Sequence, residues 1–272
     1  MKANYHTHTR RCQHAIGTER AYIESALTGG FEVLGFADHA PWPFKNGFVS
    51  GTRMTCDRLP EYIDCMRALK AEYADRLTIH IGLESEYFPR YHDHLLRMKE
   101  QGIGYFILGQ HFSDSEEDTI YAGFDCQTDD GVRRYAESVA RAVRTGLYRY
   151  IAHPDLFMRC RNDETFNAAC EEAADMICQA AKEQEIPLEY NLLGLTVRER
   201  EHRASLAQGG NSWRGYPCPA FWQYSRKWHN DTILGVDAHE PEPLSDTALW
   251  ARGKRELAEM GYHLIDHLDM EG

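Results

Sequence analysis

Short β-rich runs alternate with longer helical patterns along the whole chain, and this alternation restricts the possible folds more than any other feature. The runs predicted as strands are 3–8, 32–39, 77–84, 105–111, 148–154, 187–194 and 232–239. The segments between them are long enough to cross over to a parallel neighbour. We therefore predict an α/β protein with a parallel sheet, either an open doubly wound sheet or a closed, irregular barrel.

Helix signals fill the segments between these runs. Thr18 is predicted as the N-cap of a first helix that ends at Gly29-Gly30. Further helices are predicted over 58–74, 91–101, 129–146, 164–185, 217–230 and 245–260. Residues 195–216 are rich in Arg, Gly, Asn and Ser and are predicted to form a long functional loop. Because composition shows no break, residues 1–272 are expected to form a single domain.

Composition narrows the class of function. No apolar run approaches the ~20 residues that span a bilayer, and no signal peptide is visible, so a cytoplasmic protein without membrane contact is expected. The eight cysteines form no C-x-x-C pair, which is typical of reduced core thiols. A net charge of −12 argues against nucleic-acid binding. An anionic substrate would need local positive charge, for which metal ions are the natural source.

Nearly every predicted strand ends in a residue type that binds metal ions. The strand-end residues are His6, His8, Asp38, His39, Glu84, His111, His153, Asp237 and His239. A single histidine is more often a core or surface residue than a ligand. In a β/α barrel, however, the carboxyl ends of all strands meet at one face, and residues i and i+2 point to the same side. The six strand ends together therefore favour a metal site.

These motifs, in this order, resemble the polymerase and histidinol phosphatase (PHP) superfamily. The matching segments are 5–8, 37–39, 82–84, 109–111, 152–156 and 236–239. The histidinol-phosphate phosphatase branch is further suggested by His14-Ala15, Arg53-Met54, GLESEYFP at 82–89, HPDLF at 153–157, Glu189–Asn191 and Tyr216-Pro217. Gln110 and Val236 depart from the branch pattern beside the site. The resemblance extends over about 6–240.

The resemblance implies a distorted (β/α)7 barrel that binds two or three divalent ions, zinc, iron or manganese. By position, the ligands of the first ion are His6, His8, Glu84 and Asp237, those of the second are Glu84, His111 and His153, and those of the third are His14, His39 and His239. The implied reaction is hydrolysis of L-histidinol phosphate, a small phosphorylated substrate, in histidine biosynthesis.

The chemistry expected of such a cluster is attack on the phosphoryl group by a hydroxide shared between two ions. The candidate catalytic residues are Glu84, which would bridge the ions, and Asp237 or His239, which would protonate the leaving alkoxide. Arginines that follow the fifth and sixth strands are candidates for holding the phosphate: Arg198, then Arg159, and also Arg161, with Arg53 as a further choice.

Three other functions fit parts of the pattern. The same metal centre could act on a nucleotide or another small phosphate ester. A non-catalytic metal-binding regulatory module is disfavoured because every ligand position is occupied. An amidohydrolase barrel also opens with His-x-His, but it usually needs a carbamylated lysine where this chain has Glu84 and His111.

Overall fold

The computed structural model describes residues 1–45 and 47–270, and its framework is a parallel sheet of eight strands that neighbour one another in chain order. The strands are β1 Ala3–Asn4, β2 Val33–His39, β3 Thr78–Ser85, β4 Tyr105–Leu108, β5 Tyr148–Ile151, β6 Leu188–Asn191, β7 Asp231–Gly235 and β8 His263–Leu264. The α/β class and the parallel sheet predicted from the sequence are confirmed.

Helices connect the strands on the outside of the sheet. They are α1 Glu19–Thr28, α2 Leu59–Glu72, α3 His92–Gln101, α4 Ala122–Asp125, α5 Asp129–Val143, α6 Ala168–Glu183, α7 Leu192–Ala207, α8 Pro219–Ser225, α9 Glu242–Ser245 and α10 Thr247–Glu259. Thr18 caps α1 as predicted, because its side chain accepts a hydrogen bond from the Ala21 amide. None of the described helices has the length and apolar character needed to span a membrane.

The sheet curls so that the chain beyond β1 meets the chain beyond β7. The His8 amide donates to the Ala238 carbonyl (2.9 Å), and the Ala238 amide donates to the His6 carbonyl (3.3 Å). Thr7 and Ala238 form the corresponding parallel bridge. The carboxyl ends of the first and seventh strands are therefore neighbours. Within the described ranges, β1 and β7 themselves do not pair.

Both faces of the sheet are buried. Along β2, Leu34 and Phe36 belong to a large apolar cluster shared with the helices, whereas Val33 and Ala37 belong to a second cluster inside the curl. A parallel sheet covered on both faces has this nearly continuous apolar character. The eight cysteines are all free, and five of them are buried, whereas Cys56, Cys65 and Cys160 are half-buried and are not the core thiols that were predicted.

Two sequence predictions are wrong. The segment 195–216 is not a loop throughout, because α7 runs from Leu192 to Ala207, capped by the Asn191 side chain, which accepts from the Gly194 amide (2.7 Å). The seven predicted strands also omit β8, an eighth strand at His263–Leu264 that the sequence did not reveal. The seven predicted strands are all present, but most of them end earlier than expected.

Candidate metal centre

The nine residues predicted as metal ligands converge at the carboxyl end of the sheet. Seven of them line one cavity of about 290 Å³: His14, His39, Glu84, His111, His153, Asp237 and His239. His6 and His8 contact the carboxylates of Glu84 and Asp237 and are fully buried. The curl of the sheet brings these residues together, since they lie up to 233 positions apart, from His6 to His239.

Glu84 lies at the centre of the cluster, and its two carboxylate oxygens face different imidazoles. Oε2 lies 3.5 Å from His6 Nε2, 3.4 Å from His8 Nε2 and 3.0 Å from His39 Nδ1. Oε1 lies 2.8 Å from His153 Nε2 and 3.5 Å from His111 Nε2. Pairing of His39 with Glu84 across β2 and β3 sets this position.

Asp237 provides a second buried carboxylate on the opposite side of the cluster. Its Oδ1 lies 3.3 Å from His6 Nε2, 3.2 Å from His8 Nε2 and 3.4 Å from His239 Nδ1. The backbone of Asp237 is left-handed, with φ of 53°, and so is that of His153, with φ of 32°. Such conformations are unfavourable for residues with side chains and often occur at functional sites.

A further layer of carboxylates orients the imidazoles. Glu189 is fully buried in β6; its Oε1 accepts from His6 Nδ1 (2.8 Å) and its Oε2 from the His153 amide (3.0 Å). Glu86 lies 3.3 Å from His111 Nδ1 and forms a two-pronged ion pair with buried Arg53, at 2.9 Å for each contact. Outer partners of this kind fix the tautomer and direction of metal-binding histidines.

Charges in the cluster shift its titration strongly. Burial opposes protonation of His6, but Asp237, Glu189 and Glu84 raise its pKa well above the ordinary value. Burial likewise opposes ionisation of Glu84, yet His111 and His6 hold its pKa well below the usual range. Burial lowers the pKa of His39 to about 3. The metal-free cluster therefore holds protons on some imidazoles, beside ionised carboxylates.

Several buried atoms of the cluster have no hydrogen-bond partner within the described ranges. They are Nε2 of His6, both ring nitrogens of His8, Nδ1 of His39, Nδ1 of His153, Oδ1 of Asp237 and Nε2 of His239. Buried polar atoms are rarely left without partners, and metal ions bound by imidazole nitrogens and carboxylate oxygens would satisfy them. Triads such as His6, His8 and Glu84 bring one potential ligand atom each within 4.8 Å of one another. The donor set fits divalent metal ions.

The predicted phosphate-binding arginines lie farther from this cluster. Arg159 and Arg198 line a smaller neighbouring cavity of about 200 Å³, where Arg159 pairs with Glu201 (2.9 Å) and Arg198 pairs with Asp163. Arg161 is buried and donates to the Cys126 carbonyl (3.1 Å) and to Asp129 (3.1 Å).

Arg53, by contrast, lines the cavity of about 290 Å³, but Glu86 and Glu116 already occupy its guanidinium. None of the four arginines contacts the predicted ligands in the described part of the chain. Their role in binding phosphate stays a prediction.

Several site residues were not identified from the sequence. Glu86 and Glu189 were noted only within family-like segments, and Cys12 only as one of the scattered cysteines. Tyr121 lines the cavity of about 290 Å³, as does Tyr216, which was noted only within a family-like segment. Arg200 lines the cavity of about 200 Å³ without an ion pair to any described residue. The alternation of Glu84 and Glu86 along β3 was the available signal for Glu86, since residues two apart share a face.

A parallel α/β sheet with imidazoles and carboxylates gathered at the carboxyl ends of its strands is typical of metal-dependent hydrolases. A family profile described as "PHP domain" matches residues 4–192. The chain belongs to the PHP domain family.

Two named proteins and one solved structure are similar to this chain. A "Probable histidinol-phosphatase" of Deinococcus radiodurans is 29% identical over 263 residues, which cover 94% of this chain and 92% of that protein. The histidinol-phosphatase of Bacillus subtilis is 32% identical over 135 residues, which cover 47% of this chain and 50% of that protein. A crystal structure of the histidinol phosphate phosphatase of Lactococcus lactis, complexed with zinc, L-histidinol and phosphate, has a TM-score of 0.71 at 20% identity, with 98% of each chain covered.

Proposed function

We propose that the chain is a metal-dependent phosphomonoesterase that hydrolyses L-histidinol phosphate to histidinol and phosphate. The observation on which the proposal depends is the ring of buried, unpartnered imidazole nitrogens around Glu84 and Asp237. The relatives named histidinol-phosphatase, one of them similar over almost its whole length, support the substrate. The Lactococcus lactis structure, which contains L-histidinol and phosphate, supports it further.

We assign the ligands as the family resemblance implies. His6, His8, Glu84 and Asp237 would hold one ion, and His111, His153 and Glu84 a second. His14, His39 and His239 would hold a third. Zinc is supported by the Lactococcus lactis complex. When bound, such ions polarise the phosphoryl group and activate a water molecule for attack.

Within this assignment, the chain's own residues have distinct tasks. Glu84 presents one oxygen to each group of imidazoles, so it would supply a ligand oxygen to each of two ions. Glu189 holds His6 with its Nε2 turned inward. Asp237 and His239 stay the candidate proton donors to the leaving alkoxide, and the lowered pKa of Asp237 favours its ionised form, which suits a metal ligand.

The cavity suits a small substrate. Its volume of about 290 Å³ lies at the lower end of ligand pockets, and Phe112, Tyr121 and Tyr216 line it beside the imidazoles. Aromatic walls of this kind can stack on the imidazole of histidinol. Arg159 and Arg198 in the adjoining cavity are the proposed phosphate contacts, with Arg161 supporting that loop from within.

The proposal extends to the architecture. The bridge between Thr7 and Ala238 supports a distorted (β/α)7 barrel, to which β8 is an addition, in a single domain over 1–272. A phosphatase of amino-acid biosynthesis would act in the cytoplasm, where its substrate is made.

Phosphate release from L-histidinol phosphate by the metal-loaded chain tests the function. We expect His6→Ala to lower kcat/KM by more than ~100-fold, since even outer partners of metal ligands affect activity by 10–100-fold. His267→Ala is the matched control, because His267 is exposed and outside the cluster. No release by wild type with bound ions, or equal release by His6→Ala, would contradict the proposal.

A panel of esters separates the proposed substrate from other phosphate esters. Nucleoside monophosphates, p-nitrophenyl phosphate and a phosphodiester are compared with L-histidinol phosphate under identical metal loading. The proposal requires the highest kcat/KM for L-histidinol phosphate. A clear preference for any other member would replace the substrate while leaving the metal chemistry in place.

A further inference from the structure

Cys12 lies among the polar groups at one edge of the metal centre rather than in the apolar core. Its side chain is fully buried, yet it belongs to neither apolar cluster, whereas Cys126, Cys170 and Cys178 pack in the larger one. Its sulfur and one ring nitrogen each of His14 and His239 lie within 4.8 Å of one another. This placement brings a thiol to the position assigned to the third ion.

The neighbouring imidazoles have lone pairs available on this side. Nδ1 of His14 donates to the Cys12 carbonyl (2.6 Å), and Nδ1 of His239 donates to the Asp237 carbonyl (3.0 Å), so Nε2 of each ring is left as an acceptor. Nε2 of His239 is buried and has no partner in the described part of the chain. The same is true of both ring nitrogens of His8, a fully buried residue that also groups with Cys12 and Asp38.

The loop that holds Cys12 is fixed from both sides. Asp38 accepts from the amide of Thr9 (2.9 Å) and from its hydroxyl (2.6 Å). The Gln13 side chain donates to the carbonyls of Ser50 (2.9 Å) and Arg53 (2.8 Å). A cysteine between two such anchors is held in position before any ligand binds.

The ligands assigned to the third ion include no negatively charged group. The ligands assigned to the first ion include the carboxylates of Glu84 and Asp237, and those of the second include Glu84. The three residues assigned to the third ion are all imidazoles, which are neutral as ligands. A divalent ion held only by neutral groups keeps its full charge in a partly buried site. A thiolate would supply the missing negative charge and is a ligand that zinc readily accepts.

We propose that Cys12 binds, as a thiolate, the ion held by His14 and His239. The thiol proton leaves to solvent when the ion binds. The inference rests on the metal centre of the proposed function, but it concerns the ligands and not the substrate. A soft sulfur ligand at this position would favour zinc, iron or cobalt over manganese and magnesium.

Reconstitution of the chain with Co²⁺ tests the assignment without an activity assay. Wild type titrated to saturation should develop the near-ultraviolet sulfur-to-cobalt charge-transfer band as the third equivalent binds. Cys12→Ser should lack this band and bind its last ion at least ~10-fold more weakly. Cys65→Ser, which changes a half-buried cysteine in α2, is the matched control and should keep the band.

Two results would overturn the assignment: no charge-transfer band in saturated wild type, or a band that persists in Cys12→Ser. The first result needs no variant, so it stands even if Cys12→Ser folds poorly. A thiol that lies beside the centre without binding an ion predicts that first result. Loss of histidinol phosphate hydrolysis with the band present would contradict the proposed function and leave this inference intact.

Discussion

At the scale of single residues, the site depends on carboxylates that do not face the cavity. Glu189 is buried and has three donors around it, namely His6 Nδ1, the His153 amide and the Asn191 side chain (2.8 Å). A neutral amide at this position would turn hydrogens toward groups that are themselves donors. The orientation of His6 and His153 therefore depends on the negative charge of Glu189, which is not itself a proposed ligand.

Replacing Glu189 by glutamine should weaken metal binding without removing a ligand. We expect the apparent affinity for Zn²⁺ to fall 10–100-fold, because His6 and His153 lose their fixed orientation. Competition with a chromophoric chelator measures the affinity. Glu137→Gln, on the exposed face of α5, is the control and should bind like wild type. Equal Zn²⁺ affinities in the two variants would show that Glu189 does not orient the metal ligands.

Protons and metal ions should compete for the same imidazoles. The pKa values of His6, His8 and His153 in the metal-free protein lie above the ordinary value of 6.5, and metal binding requires the neutral rings. Near pH 7, binding should therefore release protons, and affinity should rise with pH. An indicator dye in weakly buffered solution measures the release. His6→Ala should release fewer protons than wild type, and release of none by wild type would contradict the shifts.

The residues of the candidate centre divide by what the sequence could reveal. Eight of the nine predicted ligands stand at predicted strand ends, and two pairs of them have i, i+2 spacing, so a local pattern points to them. His14 was assigned from the family resemblance alone. Cys12 and Arg200 have no such pattern. Cys12 is brought to His14 and His239 only by the loop after β1, and Arg200 reaches the smaller cavity only because α7 is a helix. Contacts that arise only from tertiary packing produce no regular residue spacing in the sequence.

At the scale of elements, the close approach of β6 and β7 positions Glu189. The two strands pair in parallel, with Asn191 opposite Gly235, and the Glu189 carboxylate lies against the α-carbon of Gly235. A methyl group on residue 235 would overlap this carboxylate. The glycine therefore makes room for the group that orients His6.

Gly235→Ala should damage stability and metal binding together. The added methyl group must displace Glu189 or separate the strands, and overpacking of a tight core typically costs 1–3 kcal/mol. Urea denaturation and a chelator-competition titration on the same samples measure both effects. Gly51→Ala, where an added methyl meets no atom within 4 Å, should change neither. A loss of stability with unchanged metal affinity would show that Glu189 is not displaced.

Helix α7 shows why composition misled the prediction for 195–216. The segment contains Arg, Glu and Ala, which favour helices, and Asn191 supplies an N-cap. Only Leu192, Gly194, Leu195 and Arg198 are buried in this helix, so the apolar stripe that identifies most helices is short. Strand positions were easier to predict because their apolar runs are buried on both faces. Strand ends were overestimated where the chain turns into the site, as at His153 and Asp237.

At the scale of the whole molecule, the proposed metal centre takes its ligands from distant parts of the chain. Its proposed ligands follow β1, β4, β5 and β7 or lie within β2 and β3. Without ions, the same region holds buried carboxylates balanced only by protonated imidazoles. Ligands that bind the folded state alone stabilise it by mass action, by ~4 kcal/mol per site at 1,000 times Kd. Metal removal should therefore lower the stability of the entire fold.

The stability gap between metal-loaded and metal-free protein should widen as pH rises. In the metal-free protein, the raised pKa values of His6 and His153 contribute stability that is fully present below the unfolded value of 6.5 and is lost as pH rises through the folded values. The lowered pKa values of Glu84 and Asp237 contribute stability that is lost only in acid, so they do not change over this range. Rising pH thus weakens the metal-free fold, while it strengthens metal binding.

Urea denaturation at about pH 6, 7 and 8, with Zn²⁺ or with a chelator, measures this gap, and these values span the range in which histidine titrates. In His6→Ala, the gap should be smaller at every pH and should depend less on pH. His267→Ala should behave like wild type, since His267 is exposed and remote from the cluster. A gap that narrows as pH rises would mean that the imidazoles around Glu84 are neutral before metal binds. Proton binding, metal binding and folding stability would then not be coupled in this cluster as predicted.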